Sequence, residues 1–292
     1  MKQTNASLRI AHRIVHWLAG SAMGLSLVAG AVQAQTLPAS VNVAGNHAEV
    51  AIASPGLPGS PPLAEVLLDF QDASGLSTAS LGISAQTVSS TDTALLARVP
   101  DVSRTKLQSA LPLMVTIQPP TSGGLNFRGT GRIELHTHAL TYTAGSRLRL
   151  FKAALGGEFY DITDEIASGS VRARGTYGGF SQFVILLDER TTSDAITAKI
   201  KRLRDRVDLL ATSEQPAFDA LLDNVESALA INDYAAALTA ADAIRSRAEA
   251  RAGSFIENEW RAARTHRNHA GELASGASTL RFSIVFLRDY GQ

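Results

Sequence analysis

His136 and His138 stand two residues apart in the run Ile133-Glu-Leu-His-Thr-His-Ala-Leu, and they are the residues of this chain whose types and spacing most directly offer chemistry. Along an extended strand alternate side chains share a face, so both imidazoles and Glu134 emerge together while Ile133, Leu135 and Thr137 turn the other way. Two imidazoles so placed can share one transition metal ion, the beginning of a metal-dependent hydrolytic site. Glu134 lies about 13 Å from His138 along such a strand, so it can join His136 but not both. His266 and His269, one turn apart on an expected helix, could complete the set if that helix folds over the strand. The plainer expectation is that each pair makes ordinary hydrogen bonds.

Asp161, Asp164 and Glu165 offer oxygen ligands for calcium, but the turn glycine and regular ligand spacing of a calcium loop are missing, and a capped turn explains them as well. Gly179-Phe-Ser181-Gln-Phe has the serine of a nucleophile elbow without its second glycine and falls inside an expected strand. Tyr142, Tyr160, Tyr177 and Phe180 fall near expected loops and could form an aromatic platform for a glycan, and Glu134 with Tyr142, Tyr160 and Tyr177 is a possible ligand surface. The chain has no cysteine, which excludes thiol catalysis, thiolate zinc sites and disulfides. No complete catalytic constellation is present.

The elements that must position these residues divide the chain into two parts. Met1 to Trp17 carries Lys2, Arg9 and Arg13 and no acid, Leu18 to Val32 is apolar, and small residues stand at Val32 and Ala34. That is the pattern of an export signal removed after Ala34, which implies a periplasmic or secreted protein. The apolar run of 15 residues is short for a bilayer span of about 20, and no later stretch is long enough. Without residues 1–34 the chain has 24 Lys+Arg against 27 Asp+Glu, a slightly acidic balance with no electrostatic reason to bind nucleic acid.

Residues 35–190 read as an antiparallel β-sandwich. Val41-Asn-Val-Ala and Ala48-Glu-Val-Ala-Ile-Ala flank a Gly45-Asn46 hairpin turn. Further alternating runs follow at Ala64 to Phe70, Leu81 to Val88, Leu111 to Ile117, Ile133 to Leu140, Arg147 to Phe151, Tyr160 to Thr163, Ser170 to Arg174 and Phe180 to Leu187, with glycine pairs between several of them. About nine or ten short strands and no helix favour stacked antiparallel sheets over a parallel sheet.

The pattern changes at Thr191. Ile196, Ile200, Leu203, Val207 and Leu210 trace one helix face, capped by Thr192 or Ser193. A second helix from about Gln215 buries Phe218, Leu221, Leu222, Val225 and Leu229, and Asn232-Asp233 opens a third that carries Tyr234, Leu238, Ala241, Ile244 and Ala248. Residues 191–252 are therefore a helical segment. In residues 253–292, Ser254-Phe-Ile-Glu257 has the form of a capping box for a fourth helix to about Leu273. Leu280, Phe282, Ile284 and Phe286 alternate as a closing strand would, returning to the sandwich. The fold class expected is all-β plus α: a sandwich, about four helices and a last strand.

The run from Glu134 to Lys152, Gly156-Gly-Glu-Phe-Tyr-Asp-Ile-Thr, Gly178-Gly-Phe-Ser-Gln-Phe, Trp260-Arg-Ala-Ala-Arg, Ala270-Gly and Thr279-Leu-Arg-Phe-Ser together resemble an uncharacterised family of exported bacterial proteins, a domain of unknown function. That resemblance implies no activity. Asp161-Ile-Thr and Phe180-Ser-Gln-Phe are also similar to the closing strands of secreted sandwich domains of surface proteins, a likeness of fold alone. The resulting expectation is an exported, non-catalytic binding or structural module of the bacterial cell envelope, with an envelope protein or a surface glycan as partner and no cofactor. The alternative is the metal site at His136 and His138.

Overall fold

The structure, a computed structural model, describes residues 34–56, 59–167 and 169–291. The stretch read as an export signal lies outside the described residues, apart from Ala34. In chain order the first part contains β1 (Thr36–Leu37), β2 (Ala39–Ala44), β3 (His47–Ile52), β4 (Ala64–Ser74), α1 (Thr78–Leu81), β5 (Ile83–Thr87), α2 (Thr93–Leu96), β6 (Thr105–Leu107), β7 (Leu113–Ile117) and β8 (Asn126–Tyr142). Next come β9 (Leu148–Ala153), β10 (Tyr160–Asp161), β11 (Thr163–Ala167), β12 (Gly169–Tyr177) and β13 (Gln182–Asp188). The remainder is α3 (Thr192–Val207), α4 (Gln215–Ala230), α5 (Tyr234–Arg251), β14 (Glu259–Arg261) and α6 (His269–Tyr290).

The strands form two antiparallel sheets of seven. One has the order β1-β5-β7-β13-β9-β10, with β6 beside β13; the other has the order β11-β12-β8-β4-β3-β2, with β14 beside β8. Ala44 pairs with His47 across the Gly45-Asn46 turn, and Gly45 has a φ of 59°, the left-handed conformation such a turn needs. Alternation then decides the faces. Val66, Leu68, Ile133, Leu135, Val171 and Ala173 of the second sheet bury against Val115, Leu148, Leu150, Phe183 and Ile185 of the first, forming one core between the sheets. Val184, Leu186, Phe151 and Ala153 point the opposite way and are covered by Val88, Leu95 and Phe159. The strand β13 is consequently buried on both faces, which accounts for its unbroken apolar run.

The long helices form a second core. All five residues of the seam from Ile196 to Leu210 are buried there, with Phe218, Leu222, Val225, Ala241, Ile244 and Ala248. The cap of α3 is Thr191, one residue before the expected position; its hydroxyl accepts from the Asp194 amide at 3.1 Å.

Three expectations are corrected. The first part is not free of helix: α1 and α2 are single turns, too short to show a helical period, held by the Ser77 and Asp92 caps. The stretch after Gly253 is not a fourth helix. Trp260 stacks on Phe127 at 5.5 Å and meets Phe180 edge-on at 4.9 Å, and that burial draws Glu259–Arg261 onto β8 as a short strand instead. The C-terminus is not a strand. Residues 280–287 belong to the 22-residue α6, capped by Asn268, whose Oδ1 accepts from the Gly271 amide at 2.8 Å.

The helix α6 packs on α3 and α5 on one side and on β8, β11 and β12 on the other. Leu273, Ala277, Leu280 and Ile284 enter the helical core, while Phe282 and Phe286 lie under the Arg149 guanidinium. A helix covered on two sides is apolar almost all round, and a stretch of it can be read as a strand. The seating needs glycine: a Cβ on Gly178 would stand 2.5 Å from the Glu272 amide nitrogen, and one on Gly276 would stand 2.7 Å from Leu203. The second sheet therefore meets the start of α6 at Gly178, and α3 crosses α6 at Gly276.

Candidate functional site: a charged cleft between sandwich and helices

A cavity of about 270 Å³ lies where β10 and the end of β12 face α3 and α6. Its walls include Tyr160 and Asp161 from β10, Lys199, Arg202 and Arg206 from α3, and Glu272 from α6. β9 supplies Lys152 from behind. That residue alternates with Leu148 and Leu150, so it points between the sheets, where an unpaired ammonium would be costly. Its Nζ donates to the Tyr160 hydroxyl at 3.0 Å and stands 3.5 Å from a Glu272 oxygen. Burial alone would lower the Lys152 pKa, but Glu272 and Tyr160 outweigh it and hold the ammonium above its usual range.

Glu272, in the first turn of α6, places its other oxygen 3.5 Å from Arg206. Burial pushes this carboxyl up, yet Lys152, Arg206 and Arg202 prevail and keep it below the usual carboxylate range. One turn before Arg206 on α3, the Arg202 guanidinium lies 3.3 Å from the centre of the Tyr160 ring.

At the floor of the cleft, Lys199 and Asp161 form an ion pair at 2.7 Å with side chains 7% and 3% exposed. Lys199 also donates to the Thr279 carbonyl and the Ser283 hydroxyl, both at 2.9 Å, and Asp161 accepts from the Thr163 amide at 2.8 Å. Burial would raise the Asp161 pKa, but Lys199 and Arg149 hold it below the carboxylate range. Arg190 is clamped by Asp188 through two bonds of 2.9 and 2.7 Å. The interface between sandwich and helices is thus a seam of buried charges with fixed positions.

The histidines lie elsewhere. His136 and His138 do emerge from one face of β8, with ring centres 4.7 Å apart, on the side of the second sheet away from the core. His138 is exposed, whereas His136 is buried with both nitrogens engaged: Nδ1 lies 2.9 Å from Glu65 and Nε2 lies 2.9 Å from the Ser170 hydroxyl. Glu134 is covered by Arg172 and Arg174, which hold it below the carboxylate range against its burial. His266 lies with Arg128, Glu257 and Glu259 at the other end of β8, and His269 follows Asn268, which donates to the Gly129 carbonyl. Eight residues of strand separate Arg128 from His136, about 25 Å, so the four histidines do not converge. Among the described residues no three His, Asp or Glu side chains stand close enough to hold one metal ion.

Asp161, Asp164 and Glu165 diverge too. The first pairs with Lys199, while the other two face Arg132 at 3.6 and 2.9 Å. The aromatic platform does not form, because core packing takes its members. Tyr177 is 1% exposed and packs against Phe70, Phe127, Phe180 and Phe183; Tyr160 lies under Arg202; and Tyr142 is half-buried.

Tyr160 and Asp161 were visible in the sequence as candidates, but for other chemistry. Lys152, Lys199, Arg202, Arg206 and Glu272 were not. The available signal was the Arg202 and Arg206 spacing of four on α3, which places both on one flank beside the apolar seam.

Fold and site together define a mixed protein of two antiparallel seven-stranded sheets and a C-terminal helical segment, with a charged cleft where they meet. The chain belongs to a family of unknown function, DUF6689, whose model matches residues 22–288. No curated protein and no solved structure matches it. Among the described residues no helix is long and apolar enough to cross a membrane.

Proposed function

We propose that this protein is an exported, non-catalytic binding module whose ligand occupies the cleft between sandwich and helices. The observation that carries the reading is the combination of an open volume of about 270 Å³ with walls of charged groups fixed by buried ion pairs, the preorganised polar lining of a binding site. Export rests on Lys2, Arg9 and Arg13 ahead of the apolar run from Leu18 to Val32.

Ser170, His136 and Glu65 form a hydrogen-bonded chain in the order nucleophile, base and orienting carboxylate. Acyl transfer also requires aimed N–H donors and a pocket for the acyl group. Neither Ser170 nor His136 lines the cleft, and the Glu65 side chain is 50% exposed, so water competes for it. We assign the chain to holding the face of the second sheet.

Native mass spectrometry tests this reading. The wild-type protein and Ala198→Trp, which plugs the cleft from α3, would be incubated with the small-molecule fraction of a cell-envelope extract. The expected result is a non-covalent adduct on the wild type that the plugged variant lacks. An adduct of equal intensity on both would overturn the cleft assignment. A fluorophosphonate that labels Ser170 stoichiometrically would overturn the non-catalytic one.

A further inference from the structure

The cleft's charges do not cancel locally. Lys199 is taken by Asp161 at 2.7 Å, Lys201 by Asp205 at 2.8 Å and Arg190 by Asp188. What is left around Tyr160 is one largely buried carboxylate, Glu272, facing Lys152 and Arg206, each at 3.5 Å, with Arg202 beside them. Neither contact is a close ion pair, so Glu272 is shared and saturates neither cation. Arg202 makes no ion pair among the described residues; its guanidinium rests on the Tyr160 ring instead. The other carboxylate of the lining without a cation partner, Glu158, is exposed. Three cations stand against one buried acid.

Arg202 and Arg206 are also one helical turn apart, so their side chains are neighbours on one flank of α3. Two guanidinium forks on adjacent turns suit the oxygens of one carboxylate or phosphate, and a ring already stacked by arginine fixes the geometry of one of them. The Lys152 donation to Tyr160 leaves the phenolic O–H free to donate. Ala195, Ala198, Leu203 and Phe159 line the same cavity and supply apolar wall for the rest of a small molecule.

From the surplus of Arg202 and Arg206 in this cavity, with Lys152 behind its wall, over the shared Glu272, we infer that the ligand of the cleft is a small organic anion, held through its carboxylate or phosphate by Arg202 and Arg206. This rests on the cleft being the binding site. The anionic group lies against the two guanidiniums and the Tyr160 hydroxyl, and Lys152 and Glu272 remain paired behind it. A neutral sugar would leave Arg202 without a counter-charge and Arg206 with only a share of Glu272, so the site discriminates by charge before shape.

Isothermal titration of the full mature protein with citrate, inorganic phosphate and glucose, at constant ionic strength, tests the inference. Each is repeated on Arg202→Gln, Ala198→Trp and, as a distant control, Arg245→Gln. Arg202 and Arg245 are exposed, so both glutamine variants are expected to melt as the wild type does, and a melting curve checks this. The expected result is saturable heat with citrate or phosphate, weakened about tenfold by Arg202→Gln, abolished by Ala198→Trp, unchanged by Arg245→Gln and diminished by added salt. Citrate without phosphate makes the recognised group a carboxylate; phosphate without citrate makes it a phosphate; both support the inference. Glucose binding that Ala198→Trp removes, with no anion binding, overturns the anion class while leaving the cleft as the site. No heat from any of the three probes overturns the anionic class as stated, and an adduct in the plug experiment would still keep the cleft.

Discussion

The Lys199 and Asp161 pair is almost fully buried at the cleft floor, and at the scale of single residues it governs how the seam responds to substitution. Lys199→Met leaves Asp161 buried without its nearest counter-charge and is expected to cost about 3–5 kcal/mol in urea unfolding. Adding Asp161→Leu removes the stranded charge and is expected to recover most of the loss; a double variant no more stable than the single one would contradict this account. Both Asp161 and Glu272 are held below the carboxylate range. A carboxyl with a depressed folded pKa contributes stability above its unfolded value, near 4, and loses it as pH falls through the folded value. The contribution of these two carboxyls to the urea midpoint is thus expected to stay level from pH 7 to about pH 5 and to decline below about pH 4. Glu272→Gln should lower the plateau and flatten that decline; an acid limb of unchanged slope would place its origin in other carboxylates.

Among the elements, α6 joins the two cores, and its burial pattern separates a helix from the alternation that suggests a strand. Leu280 and Ile284 are fully buried in the helical core, whereas Phe282 is only half-buried beside Arg149. Ile284→Ala is expected to cost about 2–5 kcal/mol and Phe282→Ala clearly less, measured as shifts of the urea midpoint. Equal losses would fit a strand with both residues on one face. The N-terminal end of the same helix depends on Gly178, where a larger residue would push Glu272 away from Lys152 and so disturb the cleft from a strand end.

For the whole molecule, the seam of charges and the shared helix imply that sandwich and helices unfold together. In protein prepared without residues 1–34, Trp260 is the sole tryptophan, and it lies in the sandwich core against Phe127 and Phe180. Its fluorescence reports on the sheets, while ellipticity at 222 nm is dominated by the long helices. The two urea transitions are expected to coincide. Transitions separated by more than their widths would show two units that fold independently.

Local pattern carried much of this architecture. Alternation placed Ile133 and Leu135 inward with Glu134 and His136 outward, because side-chain direction in a strand follows from the backbone alone. The spacing of Ile196, Ile200, Leu203 and Val207 placed the face of α3 for the same kind of reason. The Gly45-Asn46 turn and membership of an uncharacterised family were also legible. Which distant groups meet was beyond local pattern. Ser254-Phe-Ile-Glu257 looks like a helix start, but the burial of Trp260 makes a strand of Glu259–Arg261; Phe282 and Phe286 alternate, but two packed neighbours make a helix of them. The cleft joins Lys152, Lys199, Arg202 and Glu272 from β9, α3 and α6. Only the packing of α6 against both cores brings those charges within a few ångströms, and there the loss of water makes their pairing matter.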